Sequence, residues 1–149
     1  MGIQKYTIPL LDEGHDIIGL APTGSGKTIA FAVPAMKLLL PNDDHSPSVL
    51  VLAPTRELVQ QTKQVFDNLS GGVVRVCEAY GGSPRHTQAR QLQYGCDVLI
   101  ACPGRLKDFL DSGVVSIAKA SFVVFDEADR LLDMGFQVQL DEILQYVNS

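Results

Sequence analysis

"DIIGLAPTGSGKTIAF", residues 16–31, decides the architecture of this chain. It opens on a short apolar run, Asp16 to Ala21, that reads as a buried strand. The run empties into "APTGSGKT", residues 21–28, where Gly24 and Gly26 let the backbone fold so that successive N–H groups converge on an anion. A helix over about 27–40 then adds its positive end to the same place. The G-x-x-x-x-G-K-[ST] pattern is met everywhere except at its first position, where Ala21 stands for glycine. On this reading Ala21, Pro22, Thr23, Gly24, Ser25 and Gly26 form a phosphate cradle. Lys27 reaches the β and γ phosphates, and the Thr28 hydroxyl is placed to ligate Mg²⁺.

The same alternation continues outward. "SVLVLA" (48–53), "VVRVCEAY" (73–80), "DVLIA" (97–101) and "SFVVFD" (121–126) read as further strands, continuous in their apolar residues and so buried on both faces. Helices are expected over about 56–69, 84–94, 104–111 and 137–147, the second opening with Ser83 as N-cap and Pro84 at its first position. "LPNDDHSPS" (40–48) is expected to be an irregular excursion, with Asp43 and Asp44 solvated. Strand–helix repetition predicts an α/β domain, a mostly parallel sheet with helices on both faces. In such a sheet every strand ends on one rim, and ligands bind there. The loops after residues 21, 53, 80, 101 and 126 are therefore the ones to read.

Composition narrows the class. With 149 residues the chain has room for one domain, and 46% hydrophobic against 19% charged residues is a globular balance. No apolar run approaches the ~20 residues of a membrane span, and the N-terminus lacks a leader or myristoylation pattern. The expected setting is intracellular, cytoplasmic or nuclear, without a membrane partner. Cys77, Cys96 and Cys102 have no C-x-x-C spacing, which favours reduced thiols over zinc or a disulfide framework. A net charge of −5 argues against bulk polyanion binding but leaves room for a groove of backbone N–H groups and a few arginines. Arg85, Arg90, Arg105 and Lys107 lie close together in sequence.

One rim loop carries acids. "VVFDEAD" (123–129) runs a buried strand into Asp126, Glu127 and Asp129. Carboxylates favour a helix start, which is one reading. The other, given the phosphate loop, assigns Asp126 to Mg²⁺ through water and Glu127 to orienting or deprotonating an attacking water. Asp129, three residues on, is placed to face Asp126 across the first turn.

Together "APTGSGKT" and "DEAD" resemble the first half of a DEAD-box RNA helicase, and the motifs between them follow that family's order. Gln4 in "IQKYTIPLL" resembles the glutamine that reads adenine; "PTREL" (54–58) resembles motif Ia, "YGG" (80–82) the GG motif, and "CPGR" (102–105) motif Ib. "DEADRLLDMGF" (126–136) resembles motif II, and its "LDMGF" resembles the Vasa-like branch. The resemblance implies a RecA-like P-loop NTPase domain that uses ATP and Mg²⁺. It implies a sequence-nonspecific grip on single-stranded RNA by Pro54, Thr55, Arg56, Gly81, Gly82, Cys102, Pro103, Gly104 and Arg105, through backbone rather than base contacts. Asp129 would link to a Ser-Ala-Thr motif expected beyond Ser149, and a second RecA-like domain would supply arginine fingers. The 149 residues alone are then expected to be monomeric and essentially without hydrolysis. Two departures stand out: Cys102 replaces the family's Thr, and Val59 its Ala.

Other readings compete. A nucleotide-gated RNA clamp would carry the same motifs without unwinding. A small-molecule P-loop kinase would leave "PTREL" and "CPGR" unexplained. Arg56 could pair with the DEAD acids or Glu57 instead of RNA, and Met134 and Phe136 read as packing residues. His15, His45 and His86 read as surface residues.

Overall fold

The computed structural model describes residues 5–9, 16–20 and 46–147; the phosphate loop, Gln4, His15, His45 and the expected helix over 27–40 lie outside them. The described residues include six strands: β1 (Lys5–Pro9), β2 (Asp16–Leu20), β3 (Val49–Leu52), β4 (Val76–Ala79), β5 (Val98–Ala101) and β6 (Phe122–Phe125). Five helices accompany them among the described residues: α1 (Arg56–Ser70), α2 (Arg85–Tyr94), α3 (Pro103–Asp111), α4 (Ala128–Asp133) and α5 (Gln137–Gln145).

The strands form one sheet in the order β1-β2-β6-β3-β5-β4. All neighbours from β2 to β4 run parallel, and β1 is antiparallel to β2 at the edge. The domain is therefore an α/β fold with a mostly parallel sheet. The central strands β3, β5 and β6 are buried at every residue, as continuous apolar runs require when both faces are covered. At the outer strand β4 only alternate residues, Cys77 and Ala79, are fully buried.

Two cores follow from the pleat. On one face Leu50, Leu52, Leu99, Ala101, Val123 and Phe125 pack with residues of α2, α3, α4 and α5. On the other, Val49, Val51, Val98, Ile100, Phe122 and Val124 pack with Val59 and Phe66 of α1. Successive strand residues point to opposite faces, so each strand feeds both cores.

The structure revises several expectations. The helix after β4 begins at Arg85, with Pro84 as its flanking residue and no side-chain cap. Ser83 is not the N-cap; its carbonyl instead accepts from Arg105 Nη2 at 3.3 Å. β4 is shorter than 73–80 because Arg75 is held outside it, its N–H and guanidinium both donating to Asp97. β1 is an addition to the expected strands, and the helix start read at the DEAD acids is realised as the six-residue α4. Met134 is 49% exposed rather than packed, whereas Phe136 does lie against the core. All three cysteines are free thiols.

Candidate functional site

The strand register brings the motif loops into one row. Gly19 pairs with Phe125, Phe125 with Leu52, Leu52 with Ala101, and Ala101 with Ala79. One residue further on, the row is held by main-chain bonds. Asp126 N–H donates to the Leu52 carbonyl at 2.8 Å, Ala53 N–H to Ala101 at 2.9 Å, and Cys102 N–H to Ala79 at 2.9 Å. The strand leading to the phosphate loop thus lies beside the strand ending in the acids. "PTREL", "CPGR" and "YGG" follow on the next three strands.

Asp126 is fully buried and accepts from Thr62 Oγ1 of α1 at 3.5 Å. A buried carboxylate at a strand end offers the hard oxygen ligand that suits Mg²⁺ held largely through water. No group of three or more His, Cys, Asp or Glu able to hold a metal occurs among the described residues, and a hydrated Mg²⁺ does not need one. Thr28, the other expected ligand, lies outside the described residues.

Glu127 adopts φ 51, ψ 56, and among the described residues it is the only non-glycine with positive φ. Such a backbone costs a side-chain-bearing residue on the order of 1–3 kcal/mol and concentrates at functional sites. It turns the chain sharply from β6 into α4, so that adjacent acids meet different surroundings. Asp126 is sealed in, Glu127 is half-buried with Oε1 3.5 Å from Arg130 Nη1, and Asp129 is exposed. Asp126 and Asp129 therefore do not share one environment.

In the next loop Pro54 is buried and Thr55 caps α1, its Oγ1 accepting from Leu58 N–H at 3.2 Å. The cap uses a lone pair and leaves the hydroxyl proton to donate elsewhere. Arg56 is exposed and stacks over the Tyr80 ring, 5.0 Å from its centroid. Among the described residues that ring is its partner, rather than Glu57 or the DEAD acids. A side chain at Gly82, where φ is +83°, would come within 3.7 Å of Arg56 Nη1, so "PTREL" and "YGG" adjoin. At Gly81 and Gly104 a Cβ would meet nothing within 4 Å, and both face open space.

α3 starts with Pro103 at its first position and Cys102 as N-cap, without a side-chain cap bond. Burial, helped by the nearby Glu57 carboxylate, pushes the Cys102 thiol up to about 11, so it stays protonated. Arg105 is turned toward the "YGG" side. Nη1 donates to Gln88 Oε1 at 2.9 Å, and the guanidinium lies 5.7 Å from the Phe109 ring centre. Sequence reasoning missed Gln88 and the ring of Tyr80, because neither belongs to a spacing pattern with its own chemistry.

Comparison with known proteins matches residues 1–149 to the DEAD/DEAH box helicase family. The chain belongs to that family. ATP-dependent RNA helicase DBP2 of Mycosarcoma maydis is 47% identical over 97% of this chain and 27% of its own length. Probable ATP-dependent RNA helicase DDX17 of Homo sapiens is 45% identical over 97% of this chain and 21% of its own. The crystal structure of the yeast DEAD-box splicing factor Prp28 superposes with a TM-score of 0.77 at 36% identity, covering 89% of this chain and 32% of that one. The chain thus spans under a third of the relatives it matches. Its sheet is the RecA-like sheet of a DEAD-box protein, and the "DEAD" of its β6 end is the family's own signature. The Vasa-like branch rests on "LDMGF" alone.

Proposed function

We propose that this chain is the ATP- and RNA-binding half of an ATP-dependent RNA helicase that opens RNA duplexes or remodels RNA–protein complexes. The observation that carries the reading is the strand order. β2 and β6 bring the phosphate loop's strand beside the acids, while β3, β5 and β4 carry the RNA motifs along the same rim. Relatives named as ATP-dependent RNA helicases support the substrate pair.

In this reading Lys27 and the backbone of residues 21–28 hold the phosphates. Asp126 and Thr28 would hold Mg²⁺, which supplies charge neutralisation on the phosphate oxygens. Glu127 orients the attacking water and takes its proton. Arg56, Gly81, Gly82 and the first N–H groups of α3 grip the sugar–phosphate backbone, which explains open space at Gly81 and Gly104. Cys102 contributes no hydroxyl to that grip. Asp129, exposed, is free to reach the Ser-Ala-Thr motif, and a second RecA-like domain completes the site. An RNA substrate together with free thiols fits an intracellular protein, cytoplasmic or nuclear.

Phosphate release by the intact protein, with and without single-stranded RNA, tests the reading. Glu127→Gln is expected to retain ATP binding while turnover falls about 10²- to 10⁴-fold. Lys27→Ala is expected to lose both. Unchanged turnover in Glu127→Gln would remove the assigned base and the reading with it.

A further inference from the structure

Gln88 in α2 is the point at which three rim loops meet. It is 4% exposed, one of three buried polar or charged residues among those described. Its Oε1 accepts from Arg105 Nη1 at 2.9 Å and from the Tyr80 backbone N–H at 3.3 Å, so both lone pairs are engaged. Arg105 Nη2 reaches the Ser83 carbonyl in the same loop at 3.3 Å. Tyr80, fixed at its backbone by Gln88, offers its ring to Arg56 and its hydroxyl to Gln60 and Glu78. One amide oxygen therefore ties "YGG" to "CPGR" directly, and to "PTREL" through the Tyr80 ring.

We infer that Gln88 is a positioning residue for the RNA grip: with Arg105 it fixes the spacing between the "YGG" loop and the start of α3. This rests on the helicase reading above. Arg105 contributes through its clamp on the neighbouring loop, and the main-chain groups around Gly82 and Gly104 are thereby set in advance for successive phosphates. A grip built from backbone groups needs such support, because loops that must be ordered on binding lose affinity. A neutral acceptor suits the place. It satisfies a guanidinium and an amide N–H without adding negative charge beside a phosphate track.

The test uses the intact protein, a fluorescent single-stranded oligouridylate and RNA-stimulated ATPase. Gln88→Met keeps length and bulk but removes the acceptor. It is expected to raise the RNA concentration for half-maximal stimulation about tenfold, the scale of one lost charge-assisted bond. At saturating RNA its kcat, and its KM for ATP, should stay at the wild-type value. Gln88→Glu restores the acceptor but adds a charge; at high salt, where that charge is screened, its RNA affinity should come back close to that of the wild type at the same salt. A general structural role predicts instead that kcat and the ATP KM move together with RNA affinity.

Unchanged RNA dependence in Gln88→Met overturns the inference, as does a fall in kcat at constant RNA affinity. If Gln88→Met does not fold, Gln88→Glu decides alone: weakened RNA binding at unchanged Tm, persisting at high salt, overturns it. Gln88→Met and Arg105→Lys should also be non-additive, since both cut the same link, and additive losses would refute it. A wild-type protein that neither binds oligouridylate nor hydrolyses ATP would refute the helicase reading itself, a result separate from any of these.

Discussion

Cys102 occupies a position where a hydroxyl would serve two purposes. It is the N-cap of α3, yet its side chain makes no cap bond, and the helix start relies on Pro103 to set its geometry. By contrast Thr55 caps α1 through its hydroxyl. Cys102→Thr is therefore expected to stabilise the domain by about 0.5–1 kcal/mol, read as a raised Tm or denaturation midpoint. The thiol makes a second measurement possible. Its folded value of about 11 lies above that of an unfolded cysteine, so the folded chain keeps a proton that the unfolded chain loses first. This contribution to stability is intact at neutral pH and falls as pH rises from the ordinary thiol range toward 11. Alkylation of Cys102 in the folded protein should accordingly stay slow at pH 8 and accelerate well above it, and a fast reaction at pH 8 would contradict the assigned burial.

At the scale of elements, the far end of the sheet is pinned by charge. Arg75 donates to Asp97 through its N–H at 2.9 Å and through its guanidinium at 2.9 and 3.2 Å, joining the approach to β4 with the approach to β5. The bonds from Arg75 hold the Asp97 carboxyl below the usual carboxylate range. A depressed folded value means stability that is present above the unfolded pKa and is lost as pH falls through the folded one. Asp97→Asn should cost about 1 kcal/mol at pH 7, after discounting for partial exposure, and the cost should vanish toward pH 2. Urea melts of both proteins across that range would reveal it. β3, β5 and β6 were legible because strands covered on both faces are written as unbroken apolar runs. The start of α2 was not, since Ser83 looks like an N-cap until its carbonyl is taken by Arg105. The acids of "DEAD" do mark the start of α4, but nothing in them announces a left-handed residue at Glu127. Gln88 was illegible for a similar reason: its importance lies in what it touches, and "HTQARQLQ" reads as ordinary polar helix.

On the scale of the whole molecule, the rim divides into two territories. In the proposed function β2 and β6 carry the nucleotide side, and β3, β5 and β4 the RNA side. The chain spans under a third of its relatives' length, and the proposed reaction calls for arginines from a second domain. Such arginines are worth ~10³ to 10⁵ in rate in related phosphoryl-transfer enzymes. The 149 residues alone are thus expected to show no RNA-stimulated phosphate release above a Lys27→Ala control, and turnover beyond that control would show the site to be self-sufficient. A duplex-unwinding assay on the intact protein separates a helicase from an RNA clamp built on the same motifs. The two territories meet where the Asp126 N–H donates to the Leu52 carbonyl. That link is made entirely by main chain, so changes of side chain leave its length alone. Asp126 and the start of "PTREL" can each diverge in sequence while the main-chain link between them is kept. Only proline at 126 would delete the donor, and it would delete the carboxylate in the same step. The gauge between the two proposed ligand sites is in this sense protected from drift by a main chain that every substitution but proline leaves in place.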